Sequence, residues 1–277
     1  MAREYQRQSG SHYKQMIAST IKARKPIFII KLETTGLDSE TDRICGITII
    51  RCEYEGNQFL MKSKYSTLVN CKKPISKEVS QISGITNELI EKKGISEKQM
   101  VKEFIEFIGP SATITGFSTK YFIAPFLMEL FSRNHVEPDI KYMFDMQTMA
   151  KSVIHLKEGY TIRKIIEACN CTYTAEGFVA TLNKLFNLIP KGSATVDRQS
   201  LGVPKYWKKS NNVRFIFFNT AYGKVGFSLS SLYWSETDEG VFDVIDMDYL
   251  TEYLLALTNS KTLLEMSRKL EAKFSRR

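Results

Sequence analysis

The most constraining stretch of this chain is residues 27–43, IFIIKLETTGLDSETDR, in which a buried strand runs into a turn. Residues 27–30 are all apolar, as in a strand covered on both faces, and the Thr-Thr-Gly sequence at 34–36 marks the turn that ends it. Side chains two positions apart on a strand point to the same face. Lys31 and Glu33 are therefore expected to face one site together.

The segments that follow alternate between strand and helix patterns. Residues 44–50 and 58–68 are predicted strands separated by a Glu-Gly-Asn turn, which gives an antiparallel meander. A helical spacing of apolar residues follows at 97–108, then a short strand at 112–115 and further helical patterns. The chain up to residue 190 is thus expected to form an α/β domain.

Three segments together resemble the motifs of the DEDDh, or epsilon-like, 3′-5′ exonuclease superfamily. The first is Glu-Thr-Thr-Gly-Leu at 33–37, the second is Phe-Ile-Ala-Pro-Phe-Leu at 122–127, and the third is the helical segment 175–190 with its Ala-Thr and Leu-Phe pairs. Agreement in all three makes the resemblance, which spans residues 27–190, more specific than a single motif. The resemblance implies an RNase H-like exonuclease fold, which is an α/β domain with a mixed sheet flanked by helices.

The positions that carry the chemistry of that family differ here. Where the family has Asp, Glu, Asp, His and Asp, this chain has Lys31, Glu33, Ile123, Thr172 and Gly177. The family's acids hold two divalent ions that clamp the scissile phosphate, and such ions need several carboxylate oxygens. Only Glu33 is retained. We therefore predict no intact catalytic set, no metal site and no cofactor, with a Lys31–Glu33 ion pair in place of the metal ions.

Two alternatives stay open at this point. The first is an active 3′-5′ exonuclease with a rearranged site, which would use Mg²⁺ or Mn²⁺ and would need Asp38, Asp42 or Glu176 as a replacement ligand. The second concerns Lys31, whose ammonium could bind a phosphate group instead of neutralising Glu33.

The charge of the chain indicates an anionic partner, for which nucleic acid is the commonest example, and a basic solvated surface is the alternative. The formal net charge is +9, and six Lys or Arg residues stand against one Glu before residue 26. We predict that Lys22, Arg24 and Lys25 of this basic arm contact phosphates. A second predicted contact interleaves cations with aromatic rings, as single-strand binding surfaces do. It consists of Lys205, Trp207, Lys208 and Lys209.

The composition changes beyond residue 190. Small and polar residues indicate a linker at 191–210, and a hairpin pattern followed by two helices indicates a small α+β module at 211–277. The predicted organisation is therefore a basic arm or helix at 1–25, an exonuclease-like domain at 26–190, the linker and the module.

The function predicted from these features is that of a catalytically inactive exonuclease-fold protein, an accessory factor that binds nucleic acid or a nucleoprotein partner. Single-stranded DNA or RNA would contact the basic surfaces, whereas a protein partner would dock on the apolar groove around Ile123. The five cysteines lack the spacing of a zinc site, and no signal peptide or transmembrane run is present. We expect a cytoplasmic protein that does not contact membranes.

Overall fold

A six-stranded mixed sheet organises the chain, of which a computed structural model describes residues 11–189, 205–208, 214–220, 223–229, 232–236 and 247–274. The strands are β1 (Ile27–Thr34), β2 (Ile44–Glu55), β3 (Gln58–Asn70), β4 (Ile95–Ser96), β5 (Ala112–Gly116) and β6 (Ile140–Asp145). Their order is β4-β3-β2-β1-β5-β6. The predicted meander is confirmed, because β2 runs antiparallel to β1 and β3, while β5 and β6 run parallel to β1.

Helices flank this sheet, as predicted. They are α1 (Ser11–Lys22), α2 (Lys77–Ser83), α3 (Asn87–Lys93), α4 (Glu97–Ile108), α5 (Ala124–Arg133), α6 (Met146–Val153), α7 (Ile162–Ala168) and α8 (Ala175–Leu188). A π-helical turn, Thr119–Ile123, leads into α5. Asp145 caps the N-terminus of α6, since its carboxylate accepts a hydrogen bond of 2.8 Å from the backbone N–H of Gln147.

Strand β1 lies in the interior of the sheet and carries much of the core. Residues 27–30 are each at most 2% exposed. The ring of Phe28 meets Phe107 at 6.0 Å, and Phe104 meets Phe131 at 5.3 Å between α4 and α5. Because β1 and β5 are parallel neighbours, both strands end at the same edge of the sheet. Ligands of open α/β sheets commonly bind at this edge.

Helix α1 of the basic arm packs on the large domain, while residues 1–10 of the arm lie outside the described part of the chain. Ile17 is fully buried, and the Thr20 hydroxyl lies 2.8 Å from the Thr113 hydroxyl on β5. The cations at the end of this arm remain in solvent. They are Lys22, Arg24 and Lys25.

The C-terminal module contains a second, antiparallel sheet. Its strands are β7 (Lys205–Lys208), β8 (Arg214–Thr220), β9 (Gly223–Ser228) and β10 (Tyr233–Glu236), in the order β10-β9-β8-β7, and helices α9 (Met247–Thr258) and α10 (Leu263–Phe274) follow. The linker predicted at 191–210 therefore needs correction at its end. Residues 205–208 pair with β8 as an edge strand, which the two adjacent aromatic residues of this run favour.

The module and the large domain share one continuous hydrophobic core. Leu250 and Leu254 of α9 and Met266 of α10 are fully buried in it. Across the same boundary, Arg268 forms an ion pair with Glu137. In the described part of the chain, no helix is long and apolar enough to span a membrane.

Candidate nucleic-acid groove

A groove of about 570 Å³ opens at the end of β1, beside the turn that follows β5. Its volume is typical of sites for small molecules. The polar part of its lining, called the polar wall, contains Lys31, Glu33, Arg163 and Tyr173. The apolar part, called the apolar wall, contains Phe117, Phe122, Ile123 and Phe178, and it adjoins the polar wall where Phe178 meets Tyr173. The groove thus joins residues of β1 to residues from the second and third motif segments.

Lys31 and Glu33 form the predicted ion pair in this groove, with the ammonium donating a hydrogen bond to the carboxylate. Their side chains are 33% and 28% exposed. Burial lowers the pKa of Lys31, but the hydrogen bond and the charge of Glu33 more than offset this effect, so the pKa lies above its usual value. Lys31 is therefore a cation at neutral pH, and it stands beside the one carboxylate of the groove wall.

Tyr173 brings a second cation to this wall. The Nζ atom of Lys31 lies 5.5 Å from the centre of the Tyr173 ring, and the Cζ atom of Arg163 lies 4.6 Å from it. Both distances are within the range of cation–π attraction. Arg163 and Tyr173 were not predicted as site residues from the sequence. The available signal was the position of Tyr173 directly after Thr172, the residue that the resemblance aligns with the family's general base.

Ile123, which the resemblance aligns with the family's second Asp, contributes apolar surface to the groove. It ends the π-helical turn and is 2% exposed. Its Cδ1 atom lies so close to Gly116 that a Cβ atom on this glycine would be 2.4 Å away. Phe122, the preceding residue, packs on Phe126 at 5.0 Å. The apolar groove predicted around Ile123 is present.

Gly177 and Thr172, the third-motif positions, are in direct contact through the backbone. Thr174 caps the N-terminus of helix α8, because its hydroxyl accepts a hydrogen bond of 3.1 Å from the backbone N–H of Gly177. The turn at residues 172–174, which precedes the helix, passes close to Gly177. A Cβ atom at position 177 would lie 1.8 Å from the carbonyl oxygen of Thr172, a separation that no folded chain tolerates.

The acids that could have replaced the missing ligands lie outside the groove wall and have other partners. Asp42 accepts hydrogen bonds from Thr35 at 3.0 Å and from Lys73 at 2.7 Å, which closes the turn after β1. Burial raises the pKa of Asp42, but these bonds outweigh it and leave the pKa below its usual value. Asp38 accepts a bond from the backbone N–H of residue 40, and Glu176 is solvent-exposed in the first turn of α8.

Within the described ranges, no three His, Cys, Asp or Glu side chains come together as a possible metal site. The donor set of the groove therefore does not match the pair of hard cations that the family's chemistry requires, since such ions take six or more oxygen ligands each.

The predicted phosphate contacts are only partly described. Lys22, Arg24 and Lys25 are exposed at the end of α1. The backbone of Lys205–Lys208 forms β7, whereas the side chains of this run and all of Lys209 lie outside the described residues. Both surfaces remain predictions.

A family model described as an exonuclease, RNase_T, matches residues 28–175, which extend from β1 to the start of α8. The chain belongs to this exonuclease family. Two curated relatives are the PolC-type DNA polymerases III of Thermotoga maritima and Thermotoga petrophila, which are 28% and 27% identical over 142 residues. The match covers 50% of this chain but only 10% of each polymerase.

Solved structures of exonuclease I have a similar fold. A product-bound structure aligns with a TM-score of 0.55 at 14% identity, over 92% of this chain and 76% of that chain. The E. coli enzyme with a 5cy-dT13 oligonucleotide gives 0.55 at 11% identity, over 91% and 74%, and the ExoI/SSB-Ct complex gives 0.53 at 14%, over 91% and 74%. The predicted RNase H-like exonuclease fold is confirmed. Because these alignments cover most of the chain, the likeness includes part of the C-terminal module.

Proposed function

We propose that this protein binds single-stranded nucleic acid through an exonuclease groove that has lost its metal-dependent chemistry. The observation that carries the proposal is the Lys31–Glu33 ion pair. An ammonium group occupies the position where the family needs a carboxylate, and it neutralises the one acid that remains. A carboxylate that is neutralised in this way no longer attracts the cations of nuclease chemistry.

The third-motif segment supports the loss of catalysis independently. The family's final Asp has no room at Gly177, because the carbonyl of Thr172 lies over that position. Ile123 offers no ligand from the second motif, and neither Thr172 nor Gly177 offers an imidazole or a carboxylate from the third. The retained fold would therefore serve recognition, not hydrolysis.

The surface properties support a nucleic-acid partner. The groove combines aromatic rings with two cations, the combination that single-strand binding proteins use to hold bases and phosphates. The net charge of +9 also favours binding of a polyanion such as nucleic acid. Exonuclease I, which shares the fold, has been solved with an oligonucleotide and with SSB-Ct, so a nucleoprotein partner is the second candidate.

We expect the purified protein to leave labelled single- and double-stranded DNA and RNA intact in the presence of Mg²⁺ or Mn²⁺, because one ion-paired carboxylate cannot hold two metal ions. Gel analysis of the products, with and without EDTA, measures this. The matched variant is Glu33→Gln, which removes that carboxylate. A product ladder that disappears with EDTA and with Glu33→Gln would establish an active, rearranged site.

The exposed arm cations are expected to make binding depend on salt. Each neutralised phosphate of a single strand contributes about 0.7 to the slope of log affinity against log salt. Substituting Lys22, Arg24 and Lys25 by Ala should therefore lower the slope by up to about 2, with little change in sequence preference. Fluorescence anisotropy at several salt concentrations measures it.

A matched control for this experiment removes three exposed lysines from helices α2, α3 and α4. These are Lys77, Lys92 and Lys98. An equal fall in slope for both triple variants would mean that the arm acts only through the net charge. If the wild-type protein shows no saturable strand binding at low ionic strength, the nucleic-acid partner is ruled out and the protein partner on the groove remains.

A further inference from the structure

The cations of the groove differ in how far their charges are already neutralised. Lys31 is paired with Glu33. Arg163 is exposed, and within the described part of the chain no carboxylate lies at ion-pair distance from it. Its neighbour Lys164 behaves differently, because its ammonium contacts the Glu158 carboxylate at 3.0 Å and the Glu158 carbonyl at 2.8 Å. The groove thus has one available cation and one compensated cation.

The Tyr173 ring fixes where the available charge lies. Arg163 lies over this ring, with its Cζ atom 4.6 Å from the ring centre. A guanidinium group placed over an aromatic face keeps its N–H groups in its own plane, where they can form paired hydrogen bonds to phosphate oxygens. Lys31 approaches the same ring. The tyrosine therefore gathers both cations at one end of the polar wall.

An aromatic wall continues from this point into the groove. Tyr173 meets Phe178 edge to face at 5.2 Å, and Phe178 meets Phe117 at 5.9 Å. Aromatic side chains of this kind stack on nucleobases irrespective of sequence. A cationic end followed by aromatic rings, in a groove of about 570 Å³, suits a molecule that has a phosphate at one end and a flat ring at the other.

We propose that this groove is a metal-independent nucleotide site, in which Arg163 is the main phosphate ligand, Lys31 is the second, and Tyr173, Phe178 and Phe117 contact the base. This inference rests on the proposed function, because the same contacts would hold the terminal nucleotide of a bound strand. The inference goes beyond the proposed function in two ways: side-chain cations replace the family's metal ions, and a free mononucleotide is expected to bind.

Calorimetric titration in EDTA tests the site with thymidine monophosphate, thymidine and inorganic phosphate as probes. The nucleotide should bind at least about tenfold more tightly than either fragment, because only the nucleotide engages both walls. Arg163→Gln should weaken nucleotide binding about tenfold while leaving thymidine unaffected. The matched control, Lys164→Gln, makes the same charge change on the same helix and should leave all three affinities unchanged.

A double variant tests the role of Lys31. Lys31→Met with Glu33→Gln removes both charges, so that neither is left unpaired in the groove. It should weaken nucleotide binding less than Arg163→Gln does. Equal affinities for nucleotide and nucleoside, equal effects of the variants at 163 and 164, or binding that is lost in EDTA would each overturn the proposed site. Circular dichroism establishes that each variant is folded.

Strand binding measured with the same variants separates this inference from the proposed function. Anisotropy that stays at the wild-type level in Arg163→Gln, together with absent mononucleotide binding, would overturn the site and leave strand binding standing. Mononucleotide binding that depends on Arg163, in a protein that binds no strand, would support the site and overturn the proposed function.

Discussion

Gly177→Ala is expected to destabilise the protein by about 3 kcal/mol or more, at the upper end of the cost of overpacking. Helix propensity alone predicts the opposite, because alanine is better than glycine inside a helix by about 1 kcal/mol. The steric effect decides the sign. The added Cβ atom would lie 1.8 Å from the carbonyl oxygen of Thr172, and this oxygen belongs to the backbone, so it cannot move away as a flexible side chain would.

Thermal unfolding measures this effect. For a chain of this size, 1 kcal/mol corresponds to a change of about 2 to 4 °C in Tm, so Gly177→Ala should lower Tm by roughly 6 to 12 °C. Asn187→Ala provides a control on the exposed side of α8 and should change stability by less than about 0.5 kcal/mol. A Gly177→Ala variant as stable as wild type would show that the turn at 172–174 leaves space for a side chain.

The same contact limits any attempt to rebuild a nuclease. An aspartate at 177 meets the same obstacle as alanine before its carboxylate can reach the groove. Lys31→Asp by itself would put two acids next to each other on β1, with the second and third motifs still without ligands. The backbone around α8 thus excludes an acid at position 177, whereas an acid at position 31 requires only a single side-chain change.

Much of the fold could be predicted from local patterns. The alternation along β1 placed Lys31 and Glu33 on one face, and their contact follows from a period of two. The cap of α6 is a local feature of the same kind, because the carboxylate of Asp145 accepts a hydrogen bond from the backbone N–H of Gln147. In both examples, the residues concerned are at most two positions apart.

Features that depend on distant residues could not be predicted in this way. Arg163 and Lys31 meet at Tyr173 only because β1, α7 and the turn before α8 converge, and no spacing in the sequence records that convergence. The collision at Gly177 depends on the path of the preceding turn. The strand at 205–208 forms by pairing with β8, and its composition by itself was read as a linker.

Ile123→Asp is expected to destabilise the protein by about 4 kcal/mol at neutral pH, since it places an unpaired carboxylate where the native side chain is 2% exposed. Burial raises the pKa of such a carboxyl in the folded state above the value of about 3.9 in the unfolded chain. The folded state then binds the proton more tightly. The stability of this variant should therefore fall as the pH rises above about 4, and it should partly recover on acidification.

Ile123→Asn is the matched control, because it has nearly the same shape as the Asp variant and does not titrate. Urea unfolding of both variants between pH 4.5 and 7.5 should show the Asp variant losing stability relative to Asn as the pH rises. The opposite trend would mean that a carboxylate at 123 finds a cation in the groove. A metal site would be indicated if Mg²⁺ raised the Tm of the Asp variant but not that of the Asn variant. Glu33 and the aspartate at 123 would then bind the ion together. In that outcome, the proposed loss of metal chemistry would depend on the side chain at 123 and not on the ion pair of Lys31.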